Sequence, residues 1–428
     1  MKPIRLIRHS SVQPVYVRDA THRIIRNNKR RSFQQNIYAA LVWPFLFAAE
    51  DVFTFPKRRA FMGFVIFSAF AGLTLIPGSG SDAYTVASQI YQGTFFIKEP
   101  IIVFLLNIVI FSGFGYHFYF MLLGLIYAMA VYWSARLFFK DLSVNKTYST
   151  AALVFMLAFF LNYPVFDALN ARYQLGIWVM LLSTFFMLDG RWQLSLSIAL
   201  LGIMIHFGHS LFSLALVLLL LSRRFGRGQI IFAYVLLVIA FSLPSSLMLS
   251  FFDSIAQKLG GSFSEKVTDT VKLAEKNQLL LTGDSSMGAE IWFIVWYTIP
   301  IFYSLLLSGH LLWWKIRKNP TDPQFQLWIL IILMWALEFS MRGEPEAAGR
   351  VARNNIALLL MWHARWFVYR KSGEFLALLI NVAPMIFYFF VAFRRSANDT
   401  KIGAFLPSFF SYFTSTMPTI EEFFKFFH

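Results

Sequence analysis

Asp82 ends the polar run Gly78-Ser79-Gly80-Ser81-Asp82, Tyr84 lies two places on, and Glu99-Pro100 closes the same stretch. A carboxylate at the mouth of an apolar helix is placed to take a proton from an acceptor hydroxyl. The plainer reading is ordinary loop polarity. Arg172 stands in Asn170-Ala171-Arg172-Tyr173-Gln174, where an apolar run begins. Its guanidinium either snorkels toward headgroups or holds a phosphate through paired hydrogen bonds. His206 and His209 are three residues apart between two apolar runs. They read as hydrogen-bonding groups at a helix junction, or as groups for proton transfer or substrate contact. No third ligand is near them in sequence, so no metal is expected. The densest late cluster is Arg342-Gly343-Glu344-Pro345-Glu346, followed by Arg350 and Arg353. Its two glutamates balance it internally, or an anionic ligand does.

These groups sit in a chain built for lipid. Of 428 residues, 57% are hydrophobic and 14% charged, against roughly 45–50% and about 25% in soluble domains. A water-soluble enzyme is thereby close to excluded. The apolar runs are continuous rather than alternating, which argues for helices and against a β-barrel. There is no cysteine, hence no thiolate zinc site, disulfide or cysteine nucleophile. No Walker A, GxSxG, HExxH or GxGxxG pattern is present, so nucleotide-driven chemistry in this chain is not expected.

A span needs about 20 apolar residues. Spans are expected near 60–77, 117–139, 148–163, 173–188, 229–250, 289–313, 325–341, 352–368 and 374–393. Residues 36–54 are read as interfacial, and 101–112 as a surface helix ended by Gly113-Phe114-Gly115. The run 194–221 is too long for one ordinary span, so two short helices meeting at His206–Ser210 are expected. The predicted fold class is all-α, a polytopic integral membrane protein with about ten to twelve membrane-embedded helices, some short or re-entrant. Segment 1–35 is a basic cytoplasmic tail, 36–400 a membrane catalytic domain and 401–428 an amphipathic tail. Residues 1–31 hold nine Lys/Arg and one acid, half of the net charge of +16. Beside lipid-soluble segments, that excess points to anionic lipid rather than nucleic acid. Placing the basic loops inside gathers 78–100, 164–172, 251–288 and 342–351 on the outer face, with 251–288 as a helical cap.

The order of these features resembles the EpsG family, related to Wzy-type O-antigen and exopolysaccharide polymerases. The features are the Gly-Ser-Asp82 loop after the first span, Glu99-Pro100 opening a helix, Asn170-x-Arg172, Ile205-His206-x-x-His209-Ser210 and a late outer Arg segment. The match covers roughly residues 60–370. Tyr84 departs from the family spacing of Gly-x-Asp-x-x-Tyr, and Pro345 with Arg350 matches its Pro-x-x-x-Arg pattern loosely. The resemblance implies a GT-C-like architecture in a bacterial inner membrane, with the N-terminus cytoplasmic. It implies transfer of a glycan from undecaprenyl diphosphate to a second lipid-linked repeat unit, with no cofactor, metal or nucleotide. Arg172, Arg342, Arg350 and Arg353 would hold the diphosphate, and Asn170, His209 and Tyr84 would line the site. One base, Asp82, Glu99 or His206, would deprotonate the acceptor. The expected partners are lipid-linked oligosaccharide and membrane lipids, with room for a chain-length regulator. Arg172→Ala is then expected to abolish activity and leave folding intact. The competing readings are another glycosyltransferase using a polyprenyl-phosphate sugar, a flippase for lipid-linked sugars, and a sugar O-acyltransferase.

Overall fold

The computed structural model describes residues 42–58, 61–77, 81–93, 99–140, 148–160, 162–170, 172–243, 321–341, 345–369 and 382–390, with isolated positions at 247–258 and 422. The basic tail, the expected span 289–313, Arg342 and nearly all of 251–288 and 401–428 fall outside the described residues.

Every regular element among the described residues is helical. In chain order they are α1 (Pro44–Arg58), α2 (Met62–Leu73), α3 (Asp82–Gln92), α4 (Pro100–Ser112), α5 (Tyr116–Phe138) and α6 (Tyr148–Phe155). A π-helical turn (Met156–Phe160) continues α6, and α7 (Val165–Asn170), α8 (Arg172–Leu188) and α9 (Trp192–Ile205) follow. The last are α10 (Ser210–Ser222), α11 (Gln229–Ser242), α12 (Pro323–Ser340) and α13 (Pro345–Tyr369). Among the described residues four segments are long and apolar enough to cross a membrane: Tyr116–Phe138, Ala151–Asn170, Phe207–Ser242 and Pro323–Ser340. Met62–Leu73, Pro100–Ser112, Arg172–Leu188 and Trp192–Ile205 are apolar but shorter.

Helices in lipid associate through close packing, and small residues let backbones approach. The α2–α5 crossing is built this way. A Cβ on Gly72 would lie 2.2 Å from the Phe120 carbonyl oxygen, and one on Gly124 would lie 2.1 Å from that of Ser68. The α8–α9 pair uses Gly202, which receives Met180, and Ser183, which donates to the Ser195 carbonyl at 2.8 Å. Aromatic rings fill the interior: Tyr127 meets Trp178 edge-on at 5.6 Å, and Phe138 meets Phe185 at 6.2 Å. These pairs show that α5 and α8 run in the same direction. α9 returns beside α8, and α13 returns beside α12. Exposed Leu214, Val217, Ile231 and Val238 give α10 and α11 an apolar outer surface.

The bundle therefore has two distinct ends, separated by about 25 Å along α8. One carries the first residues of α5 and α8 together with Arg350. The other carries Lys140, Asp189, Arg191 and the turn Arg223–Gly228. There Arg223 donates to Gln326 and to the Met187 carbonyl, and Arg136 lies over the Trp133 ring.

Several expected boundaries change. Residues 44–58 form α1, which runs antiparallel to α2 with Phe45 against Phe67 and Phe55 against Phe61. The stretch 78–100 contains a helix, α3, whose N-cap Ser81 accepts from the Tyr84 N–H and whose C-cap Gly93 takes φ 64°. The stretch 164–172 contains α7. Helix α13 begins at Pro345, so Arg350, expected in the outer loop 342–351, stands on the same helix as Arg353. The run 194–221 does divide at His206, with a 3₁₀ turn (Phe207–His209) between α9 and α10.

Candidate functional site

Three helix N-termini meet at one guanidinium. Asp82 is the first residue of α3, Glu99 is the N-cap of α4 and Arg172 is the first residue of α8. Arg172 Nε and Nη2 donate to Asp82 Oδ2 and Oδ1, each at 2.8 Å, and Nη1 donates to Glu99 Oε2 at 2.9 Å. The Arg172 backbone N–H also falls on Asp82 Oδ2 at 3.2 Å. Asp82 thus caps α8 as well as pairing with its first side chain. Carboxylates are favoured at helix N-termini, where unpaired N–H groups concentrate positive charge. A cation there is disfavoured, and the two acids compensate it. Glu99 is 1% exposed and Arg172 14%, so that pair is largely desolvated, while Asp82, 31% exposed, keeps some contact with solvent. Tyr119 on α5 lies within its field, and its buried hydroxyl has no hydrogen-bond partner among the described residues.

Tyr173, the next residue, opens a second cluster. Its ring stacks on His209 at 4.6 Å and 7°, and meets His206 edge-on at 5.3 Å. Its hydroxyl donates to the Arg350 carbonyl and accepts from Asn354 Nδ2 at 2.7 Å. His209 Nε2 lies 3.0 Å from the Tyr173 carbonyl. A carbonyl only accepts, so this nitrogen carries the proton. Nδ1 then faces the Asn354 amide at 3.4 Å. The ring also lies over Gly176, where a Cβ would come within 2.0 Å of Nε2. His209 is a pin between α8, the 3₁₀ turn and α13. His206 Nδ1 accepts from the Gly208 N–H at 2.9 Å and so caps the 3₁₀ turn.

Arg350 and Arg353 are half-buried on α13, and both lie close enough to Tyr173 to act on it electrostatically. Tyr163 donates to the Arg353 carbonyl at 3.1 Å, and Arg353 Nε has no partner among the described residues. Asp82, Glu99, Arg172, His206, His209, Arg350 and Arg353 therefore gather at one end of the bundle. Asn170 ends α7, half-buried, two residues before Arg172. Tyr84 is exposed on α3, and its backbone serves the Ser81 cap. Arg342 lies outside the described residues. Among the described residues no three His, Asp or Glu side chains gather as a metal site requires.

The chain matches no protein-family model, no curated protein and no solved structure.

Reading the sequence missed Tyr163, Tyr173 and Asn354, which wire the site together, and Tyr119 beside the ion cluster. It also passed over Glu338, an acid inside an apolar helix, although ionisable groups at membrane depth signal function. Asn354-Asn355, a carboxamide pair opening the apolar half of α13, was a second available signal.

The charge arithmetic of the first cluster matters. Two carboxylates around one guanidinium leave one formal negative charge, and three of the five Arg172 N–H groups are taken. Arg172 is better placed to hold α3, α4 and α8 together than to receive an anion unaided. Arg353, whose Nε has no partner among the described residues, lies on the same side of the cluster as Arg350.

Proposed function

We propose that this protein is a membrane-embedded glycosyltransferase that polymerises lipid-diphosphate-linked glycan repeat units. It would act at the outer face of a bacterial inner membrane, with its N-terminus in the cytoplasm and a GT-C-like architecture. What carries the reading is Arg350 and Arg353 on one helix, beside Tyr173 and next to the Asp82–Arg172–Glu99 cluster, at the end of the bundle opposite the basic turn Arg223–Gly228. Basic turns favour the cytoplasmic side, so the site end then faces out. Arginines kept on that side, against the bias, suit an anionic lipid-linked substrate.

In this mechanism the donor is already activated. Arg350 and Arg353 hold its diphosphate and stabilise the charge that collects there as the glycosidic carbon leaves, the role a preorganised cation pair plays best in a water-poor site. The lipid tail lies along the apolar outer surface. The cluster around Arg172 fixes the helix ends against which the glycan rests. A base takes the acceptor hydroxyl proton.

The test is a chain-length assay on purified protein in nanodiscs, given lipid-diphosphate-linked repeat units from its host without nucleotide. A ladder of products is the expected result. A single added unit would indicate a decorating transferase. Movement of the lipid across a vesicle membrane with no covalent product would indicate a flippase.

A further inference from the structure

The turn Arg223–Gly228 joins α10 to α11 at the end of the bundle away from Arg172, and it is held from the inside. Arg223 Nε donates to Gln326 Oε1 at 2.9 Å, Gln326 Nε2 donates to Gln229 Oε1 at 2.8 Å, and Gln229 Nε2 donates to the Gly226 carbonyl at 2.8 Å. Arg223 Nη2 adds the Met187 carbonyl at 3.2 Å. Gln229 and Gln326 are each 2% exposed. Buried amides are costly unless paired, and here each is paired with the next. The relay ties the turn to α8 and α12, and Gly226 supplies the positive φ of 52° at the bend.

This scaffold presents Arg224, Phe225 and Arg227 to the outside. All three are exposed, and neither Arg224 nor Arg227 has a hydrogen bond or ion pair among the described residues. Neighbouring cations are committed: Arg223 to the relay, Lys140 and Arg191 to Asp189, and Arg136 to the face of Trp133. Phe225 stacks on Phe232 of α11, with ring centroids 5.2 Å apart and planes 22° from parallel. Apolar surface leads away from the turn on both helices. Leu214, Val217 and Leu221 are exposed on α10, and Ile231, Val235 and Val238 on α11. Their spacing makes one stripe on each helix. The segment Phe207–Ser242, with the turn near its middle, is long and apolar enough to cross a membrane. Charges in such a segment lie at the boundary with water.

We propose that the Arg223–Gly228 turn is a binding site for an anionic phospholipid, with Arg224 and Arg227 on the headgroup phosphate and the acyl chains against α10 and α11. A guanidinium pairs with phosphate through parallel hydrogen bonds. The relay holds the backbone of the turn in advance, which lowers the cost of ordering on binding. A free anion would leave the stripes and the Phe225–Phe232 ledge unused. A zwitterionic lipid would bring its own cation to two arginines. Nothing in this site depends on glycosyl transfer, so it stands or falls apart from that reading.

The experiment titrates full-length protein, in an uncharged detergent, with dioctanoyl phosphatidylglycerol and counts bound lipid by native mass spectrometry. Wild type should prefer it over dioctanoyl phosphatidylcholine by about tenfold or more. Arg224→Gln combined with Arg227→Gln should weaken binding about thirtyfold, on the order of fivefold for each charge. Lys140→Gln combined with Arg191→Gln removes as much positive charge from the same end and should weaken it no more than about threefold, since Asp189 already engages both cations. A larger loss in that control would make the attraction a property of the whole end, and overturns the site. A loss below threefold in the Arg224 and Arg227 variant would put the lipid elsewhere, and overturns it too. A preference below threefold for phosphatidylglycerol would leave an apolar surface without a headgroup site. Displacement of the lipid by a tenfold excess of inorganic phosphate would make the turn a free-anion site. Either result also decides against the proposal.

Discussion

Arg172 and Asp82 are joined twice over, by a two-pronged guanidinium–carboxylate pair and by the backbone N–H of Arg172 on the same carboxylate. The pair ties the start of α3 to the start of α8, and Glu99 adds the start of α4.

That geometry changes the expectation for Arg172. Removing one member of a desolvated ion cluster leaves an uncompensated charge, at about 3–5 kcal/mol. Arg172→Ala should therefore lower the thermal unfolding midpoint in detergent as well as activity. Arg172→Lys should recover only part of both, since an ammonium cannot form the parallel pair. A double-mutant cycle of Asp82→Asn with Arg172→Gln should show coupling of about 1–3 kcal/mol. Independent effects would deny the pair its structural role.

Arg350 and Arg353 are assigned to the donor. Arg350→Ala and Arg353→Ala should each slow ladder formation by about 10²–10³-fold with little loss of stability. The Arg350 and Arg353 carbonyls, which receive Tyr173 and Tyr163, survive the substitution. Product gels and unfolding curves on the same preparations separate the two effects.

Gly176→Ala tests the pin. A methyl group there collides with the His209 ring, so the ring must leave the Tyr173 carbonyl. A loss of about 1–3 kcal/mol is expected for overpacking at such a site, read as a lower unfolding midpoint. Unchanged stability would mean that the ring is loosely held.

The opposite end supplies a contrast. Asp189 pairs with Lys140 and Arg191, whose side chains are 49% and 60% exposed. Exposed pairs contribute about 0–1 kcal/mol. Asp189→Asn should leave both unfolding midpoint and ladder formation close to wild type.

Much of the helix pattern was legible in sequence because lipid imposes one rule on every span. The expected 117–139 and the observed Tyr116–Phe138 differ by one residue at each end, and the Gly113 break and the His206 division were visible as interruptions. Helix α3 was not visible. It is too short and too polar to stand out by hydropathy, although Ser81 and Gly93 are cap residues of the usual kinds. The gathering of Asp82, Glu99 and Arg172 was expected only as a shared face. Their pairing depends on how three helix ends are aimed, across 90 and 73 residues of chain. Glu338 and Asn355 each stand out in an apolar run, but only the α12–α13 packing sets them opposite one another.

The separation of Asp82 from Arg172 has a consequence for biogenesis. At about 5–20 residues per second of synthesis, the 90 residues between them take roughly 4–18 s to emerge. Asp82 waits through all of that interval and Glu99 through its last 73 residues before their cation exists. The nascent chain must carry two orphan acids at the membrane until Arg172 arrives with the start of α8. The joining of α3, α4 and α8 is then an event of late assembly, and the insertion machinery handles an intermediate more acidic at that face than the finished protein.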